Sequence, residues 1–380
     1  AAGRAGAAGG GLSAASVGKR LLLFTSGTRG DVQPFAALGV SLQAAGFVVK
    51  VLTNSNHVQF LESFGLDALG TSFDSELMIK GQPLIMKAMA EGDFVSFMQG
   101  LAEHEKNNFQ DAFESQLNAA RAFQPDLVLT SILEWYSATA IADSMGVPVV
   151  QCALTPLFMV GEDPSPVGEP ECLPGCCHRL MWWLALSFFL KGKRETHNPT
   201  MMQRLPECEQ SLPQGATDRV FYERADSCPT LVGVSPVVVA ARDEWPKSAV
   251  LTGFWVVGQE EQAQRMLAGD GMFGGAPGEI ERFIRKGMAP VYMGWGSMVA
   301  VSGEYMALLA VRSLRHAEMR GVILGGWAEI SAELLQGQPD SPELLAYAKE
   351  HVLFVKTAPH EWLFPQCAAI VHHGGAGTTA

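Results

Sequence analysis

The sequence predicts an α/β protein made of two consecutive doubly wound domains. Three observations predict it. Short apolar runs bounded by turn residues recur along the chain, and apolar residues at helical spacing separate them. A glycine-rich stretch without strand pattern, residues 256–278, then divides the series in two.

The first run is "KRLLLFTS", residues 19–26, which reads as a buried strand. "GTRGDVQP" follows as a turn, with Pro34 suited to the first position of a helix. Phe35, Leu38, Leu42 and Ala45 then recur at helical spacing, Gly46 stops the helix, and "FVVKVLT" is the next strand. This is a β-α-β unit, and it predicts a parallel sheet with a right-handed crossover. Residues 54–124 read as mainly helical. The strand "PDLVLTS", a helix over 134–145 stopped by Gly146, and the strands "VPVVQCA", "TLVGVS" and "SAVLTGF" complete a first domain over 19–255.

Residues 256–278 read as an interdomain linker. A second domain, 279–380, repeats the cycle. Helix 279–286 precedes strand "APVYMGWGS", helix 304–318 precedes "GVILGG", helix 342–350 precedes "VLFVK", and "CAAIVHH" feeds a glycine turn. Residues 1–18, mostly Ala, Gly and Ser with one Arg, one Leu and one Val, lack an apolar stretch and read as a disordered tail.

Composition narrows the function classes. A net charge of −12 disfavours nucleic acid as a partner. Seven cysteines, an odd number without a disulfide framework, suit a reducing compartment and a cytoplasmic location. No apolar run reaches the roughly 18 residues that span a bilayer. The cluster "CLPGCCH", residues 172–178, reads as loop thiols more readily than as a metal site, because no second ligand pair has finger-like spacing.

Ligands of open α/β sheets bind beyond the carboxyl ends of strands, and three turns with unusual residues fall there. In "SGTRGDVQP", Gly27 and Gly30 permit a tight turn, and Asp31 stands near a helix N-terminus. It is either a cap or a general base for an acceptor hydroxyl. The dinucleotide spacing Gly-x-Gly-x-x-Gly is absent. In "MGWGSM", Ser297 can offer a hydroxyl and an amide to phosphate, although a plain strand-to-helix turn would look the same. In the terminal "HHGGAGTT", Gly374, Gly375 and Gly377 let backbone N–H groups approach an anion at a helix start, where His373 and Thr378 can add donors. A close-packed turn would explain the glycines but not the paired histidines, and the Lys of a Walker loop is missing.

Together and in this order, these turns resemble the glycosyltransferases of the GT-B fold, and within them the sterol 3-β-glucosyltransferase group and its antibiotic-glycosylating relatives. "GTRGDVQPFAALGVSLQAAGFVVKVLT", "LTGFW", "PVYMGWGSM" and "APHEWLFPQCAAIVHHGGAGTTA" carry the resemblance, which runs from about Lys19 to the end and is loose over 155–230. It implies two Rossmann-like domains facing a cleft, the second incomplete. A donor such as UDP-glucose would lie in the second domain, and a sterol or similar lipid alcohol in the first. It implies inversion at the sugar with no metal or other cofactor, and Asp31 as base. Ser297, His373, Gly377 and Thr378 would hold the diphosphate, with Thr28, Gly30 and Gly375 beside them. Thr357, Ala358, Pro359 and His360 would line the uracil; many relatives place a stacking Trp where Thr357 stands. In the family the motif continues past the paired threonines to an Asp-Gln pair that binds the sugar. The 380 residues alone are therefore expected to be a fragment without turnover.

Three readings of "HRLMWWLALSFFLKGKR", residues 178–194, stand side by side: a buried helix, a lid over an apolar acceptor pocket, or a helix resting on a membrane surface with its basic flank. The competing functional classes are a non-catalytic nucleotide-sugar or lipid-binding protein and a small-molecule glycosyltransferase of the antibiotic or flavonoid type.

Overall fold

In a computed structural model of the chain, the described residues are 17–71, 73–156, 158, 170–212, 227–274 and 278–380. The tail 1–16 lies outside them. Two parallel sheets organise the molecule. The first contains β1 (Arg20–Phe24), β2 (Val48–Thr53), β3 (Asp67–Gly70), β4 (Leu127–Ser131), β5 (Val149–Ala153), β6 (Thr230–Val232) and β7 (Ala249–Leu251), in the order β3-β2-β1-β4-β5-β6-β7. The second contains β8 (Val291–Gly294), β9 (Gly321–Leu324), β10 (Val352–Val355) and β11 (Ala369–His372), in the order β10-β9-β8-β11.

Both orders reverse direction beside the first strand of the sheet, so each sheet has a switch point where loops part and a cleft can form. β1 is flanked by β2 and β4, with Leu22 opposite Lys50 and Val128. Leu21, Leu22, Leu23 and Phe24 are all buried, as a strand covered on both faces requires. One face packs on Phe113, Leu117 and Ile141, the other on Val32, Phe35 and Phe60. The second core gathers Met306, Val311, Leu314, Ile323 and Leu344 around β8 and β9.

Two sequence expectations need correction. Pro34 does not open its helix. The helix spans Arg29–Ala44, with Pro34 inside it. Thr28 and Asp31 form a capping box that nucleates the helix five residues earlier, and Pro34 only deprives the Gly30 carbonyl of its helical donor. The mainly helical span 54–124 also holds an edge strand, β3, whose four residues are too few to show a period. Within the expected linker span, Gln259–Leu267 is helical, Met266 packs into the second domain, and Phe273 packs into the core of the first.

Candidate active site

A cleft of about 1050 Å³ opens between the two sheets at their switch points. It is lined from the first domain by Thr28, Gly30 and Asp31, and from the second by Ser297, Thr357, Ala358, His360, His373, Gly375, Gly377 and Thr378. The first and last of the three turns touch. A Cβ built on Gly377 would have Gly30 Cα as its nearest neighbour, at 3.6 Å.

Asp31 is held by its own turn. Its Oδ2 accepts from the Thr28 backbone N–H at 2.7 Å and from Thr28 Oγ1 at 3.0 Å. Burial raises its pKa above the ordinary 3.8, against the lowering effect of the Thr28 hydrogen bonds. Asp31 is therefore both a capping residue and a carboxylate made more basic by its surroundings. Gly27 has no alternative here: its φ is +117°, and a Cβ would lie 2.5 Å from Asp31 Oδ2. Asn54 and His57 support this turn from beyond β2. Gly27 N–H donates to Asn54 Oδ1 at 2.8 Å, and His57 Nε2 lies 3.1 Å from the Gly27 carbonyl, as a donor. Burial keeps the His57 pKa low.

On the second-domain side, the His373 ring is clamped between two glycines. A Cβ on Gly296 would stand 3.0 Å from its Cε1, and one on Gly375 would overlap Nε2. Burial lowers the pKa of His373 as well. The Gly374 N–H donates to His372 Nδ1 at 3.2 Å, which shapes the turn ahead of the short helix Ala376–Thr379. His360 is 2.9 Å from the Tyr292 hydroxyl and stacks on Phe364. Its pKa is pushed down to about 4, first by burial and then by Arg29 and His372, so it is neutral near pH 7. Thr357 makes its hydrogen bonds to the protein, donating to the Gly271 carbonyl at 2.6 Å and accepting from Gly274 N–H at 3.1 Å. Pro359 is buried beside Gly274 and does not line the cleft.

Sequence reasoning missed Arg29. Its guanidinium faces the cleft over the rings of Phe60, at 4.9 Å, and Phe273, at 5.3 Å, while Nε donates to Gln33. Burial lowers its pKa to about 10, still charged at neutral pH. Arg29 stands inside the quoted motif and could have been noticed. His57 and Phe273 are isolated in sequence and gave no signal.

Among the described residues, no group of three His, Cys, Asp or Glu is placed to hold a metal. Cys172 and Cys176 are exposed and Cys177 is partly exposed. No described helix is long and apolar enough to cross a membrane.

Two facing Rossmann-like sheets with a cleft at their switch points define the GT-B glycosyltransferase fold. The glycotransferase of kitacinnamycin superposes with a TM-score of 0.58 at 16% identity, covering 95% of this chain and 77% of that one. A Streptomyces sp. SF2575 glycosyltransferase complexed with thymidine diphosphate gives 0.52 at 17%, covering 95% and 78%. In sequence the chain is similar to sterol 3-beta-glucosyltransferases, as its motifs implied. It is 26% identical over 375 residues to one from Arabidopsis thaliana, covering 95% of this chain and 52% of the relative. It is 27% identical over 365 residues to one from Yarrowia lipolytica, covering 94% and 23%. The chain thus spans about half the length, or less, of these curated relatives. No family model matches it.

Proposed function

We propose that this protein is a UDP-glycosyltransferase. It transfers a glucosyl group from UDP-glucose to the hydroxyl of a sterol or similar lipid, with inversion and without a metal. The observation that carries the reading is the meeting of Asp31 and the His373–Thr378 turn in one cleft, with Gly30 packed on Gly377.

The chemistry follows from that arrangement. The acceptor oxygen attacks the anomeric carbon as the bond to the diphosphate breaks, and the hydroxyl proton passes to Asp31. Negative charge grows on the leaving diphosphate. The amides of the glycine turn, the Ser297 and Thr378 hydroxyls, a His373 N–H and the Arg29 guanidinium are the donors that would meet it. Ala358 and the neutral His360 line the region beyond, where the resemblance places the base. Thr357 offers no ring for stacking.

The lipid acceptor draws support from the helix Gly175–Thr196. Leu186, Phe189 and Leu190 pack inward, yet Leu180, Leu184 and Phe188 stay exposed at 54%, 45% and 58%. The helix reads as a peripheral membrane contact beside an N-terminal acceptor domain.

The test separates the two halves. Titration with UDP and with TDP reports the donor side. Transfer of labelled glucose to ergosterol in vesicles is measured for the 380-residue chain and for the chain extended by the C-terminal segment of the Arabidopsis relative. UDP binding with steryl glucoside formation is the expected result. Glycosylation of soluble flavonoids but not sterols would replace the acceptor class. UDP binding with no transfer in either form would favour a binding protein.

A further inference from the structure

The connection between the domains crosses between them more than once. After β7 the chain reaches the helix Gln259–Leu267, whose Met266 is buried with Ile280, Tyr292, Val355 and Leu363 of the second domain. It then returns to the first domain. Phe273, 1% exposed, packs with Phe60 and Phe64 at ring separations of 6.5 and 6.1 Å. Six residues later it enters the second domain again at Glu279. Arg265 reinforces the crossing from the helix side. It stacks on Phe64 at 3.9 Å, and its guanidinium donates to the Ser63 carbonyl at 2.7 Å.

The returning loop is held at both ends of Phe273 by a single side chain from the cleft wall. Thr357 Oγ1 donates to the carbonyl of Gly271 and accepts from the N–H of Gly274. Gly274 itself has no room to move: its φ is +135°, and a Cβ would meet Met266 at 3.1 Å and Ile280 at 3.3 Å. Phe273, so fixed, lies under the Arg29 guanidinium, two residues from Asp31.

We propose that Thr357 is a positioning residue: by clamping Gly271 and Gly274 it seats Phe273 in the first domain, and so sets Arg29 and the Asp31 turn in register with the donor wall. The inference rests on the glycosyltransferase reading for its kinetic consequence but not for its structural one. A hydroxyl at this position joins the two halves of the cleft, where an aromatic side chain would have served only the base. Closure of the cleft and nucleotide binding then share one element, and loosening that element weakens the donor site while Asp31, Ser297 and the His373–Thr378 turn keep their own side chains.

The discriminating variants are Thr357→Val, which keeps the shape and loses both hydrogen bonds, and Thr357→Ser, which keeps the hydroxyl. Hydrogen exchange of residues 270–274 in the full chain is read first, without any substrate. Exchange should rise at least about tenfold in Thr357→Val and stay near wild type in Thr357→Ser. UDP titration should then show about a tenfold weaker Kd for Thr357→Val. In an active form, the KM for the sugar donor should rise while kcat changes less than about threefold. Unchanged exchange in Thr357→Val, or equal damage from both variants, overturns the proposal. Raised exchange with no UDP binding even in wild type would leave the clamp standing and count against the donor-site reading.

Discussion

Asp31 Oδ2 receives both the backbone N–H of Thr28, at 2.7 Å, and its hydroxyl, at 3.0 Å, so the proposed base is oriented by the residue that begins its own helix. Asn can accept the same backbone hydrogen bond, so Asp31→Asn should fold. It should cut transfer by about 10²–10⁴-fold while changing UDP affinity less than about threefold. Initial rates and calorimetry check this; a variant retaining more than about a tenth of the activity would exclude Asp31 as base.

The same residue sets a pH dependence. Its folded pKa is raised by burial above 3.8, and the proposed role as base needs the carboxylate. The acid limb of kcat/KM should therefore sit above pH 3.8, with activity lost as pH falls through the raised value. Stability has the opposite sign: the folded state holds this proton more tightly than the unfolded chain, so the Asp31 contribution declines as pH rises through the same window. Melting curves at several pH values should show Asp31→Asn relatively more stable at pH 7 than at pH 3.5.

His373 owes its position to missing side chains. Gly375→Ala should drive its ring out of place, because the added methyl overlaps Nε2, and should weaken UDP binding by about tenfold or more with little loss of melting temperature. Gly374→Ala is the control: its φ is +84°, but nothing lies within 4 Å of an added Cβ, so its penalty is backbone strain rather than collision with the histidine. Equal UDP affinities for Gly375→Ala and wild type would remove His373 from the proposed donor site.

What could be read from the sequence was local. Asp31, Ser297 and the 372–378 turn lie at strand ends in contiguous motifs, and strand ends at a switch point are where a parallel sheet places its ligands. β1 and β8 were legible because burial on both faces leaves an uninterrupted apolar run. The failures came from contacts between distant residues. Pro34 looks like a helix start until the Thr28–Asp31 capping box is seen to nucleate the helix earlier. Phe273 sits among glycines, in a composition that reads as a linker, yet it is buried by Phe60 and Phe64, over 200 residues away in the chain. Arg29 and His57 acquire their places only when the second domain and the β2 loop close around the first turn.

A partly buried charged cluster outside the cleft predicts acid sensitivity. Lys193 Nζ donates to Glu105 Oε1 at 2.7 Å, His197 Nε2 lies 3.2 Å from Oε2, and Phe109 stacks on the His197 ring at 3.6 Å. Burial pushes the His197 pKa down to about 4, with Glu105 opposing. The Glu105 pKa falls to about 2, because its bonds to His197 and Lys193 outweigh its own burial. Both shifts stabilise the fold at neutral pH. The His197 share is lost between pH 6.5 and about 4, and the Glu105 share between pH 4.5 and about 2. Lys193→Met should cost about 1–2 kcal/mol at pH 7, below the cost for a fully buried pair because Glu105 keeps 37% of its side chain exposed. A double-mutant cycle of Lys193→Met with Glu105→Gln at pH 7, read by urea titration, checks this; strictly additive losses would show that the effect is packing, not charge.

The last prediction concerns the outer face of Gly175–Thr196. Arg179, Leu180, Trp183, Leu184, Phe188 and Lys191 recur at three- and four-residue spacing and are all exposed. Arg179 is paired with Glu244, and Lys191 stands 4.0 Å from Glu195, so local charge nearly cancels and the apolar side chains supply the attraction. Binding to vesicles should therefore survive moderate salt, unlike binding through a basic patch. Leu184→Asp combined with Phe188→Asp should lower the sedimented fraction on sterol-containing vesicles by about tenfold, with UDP affinity unchanged, because the helix does not line the cleft. Full salt-induced release of the wild type, or equal sedimentation of the double variant, would mean that this face does not meet a bilayer.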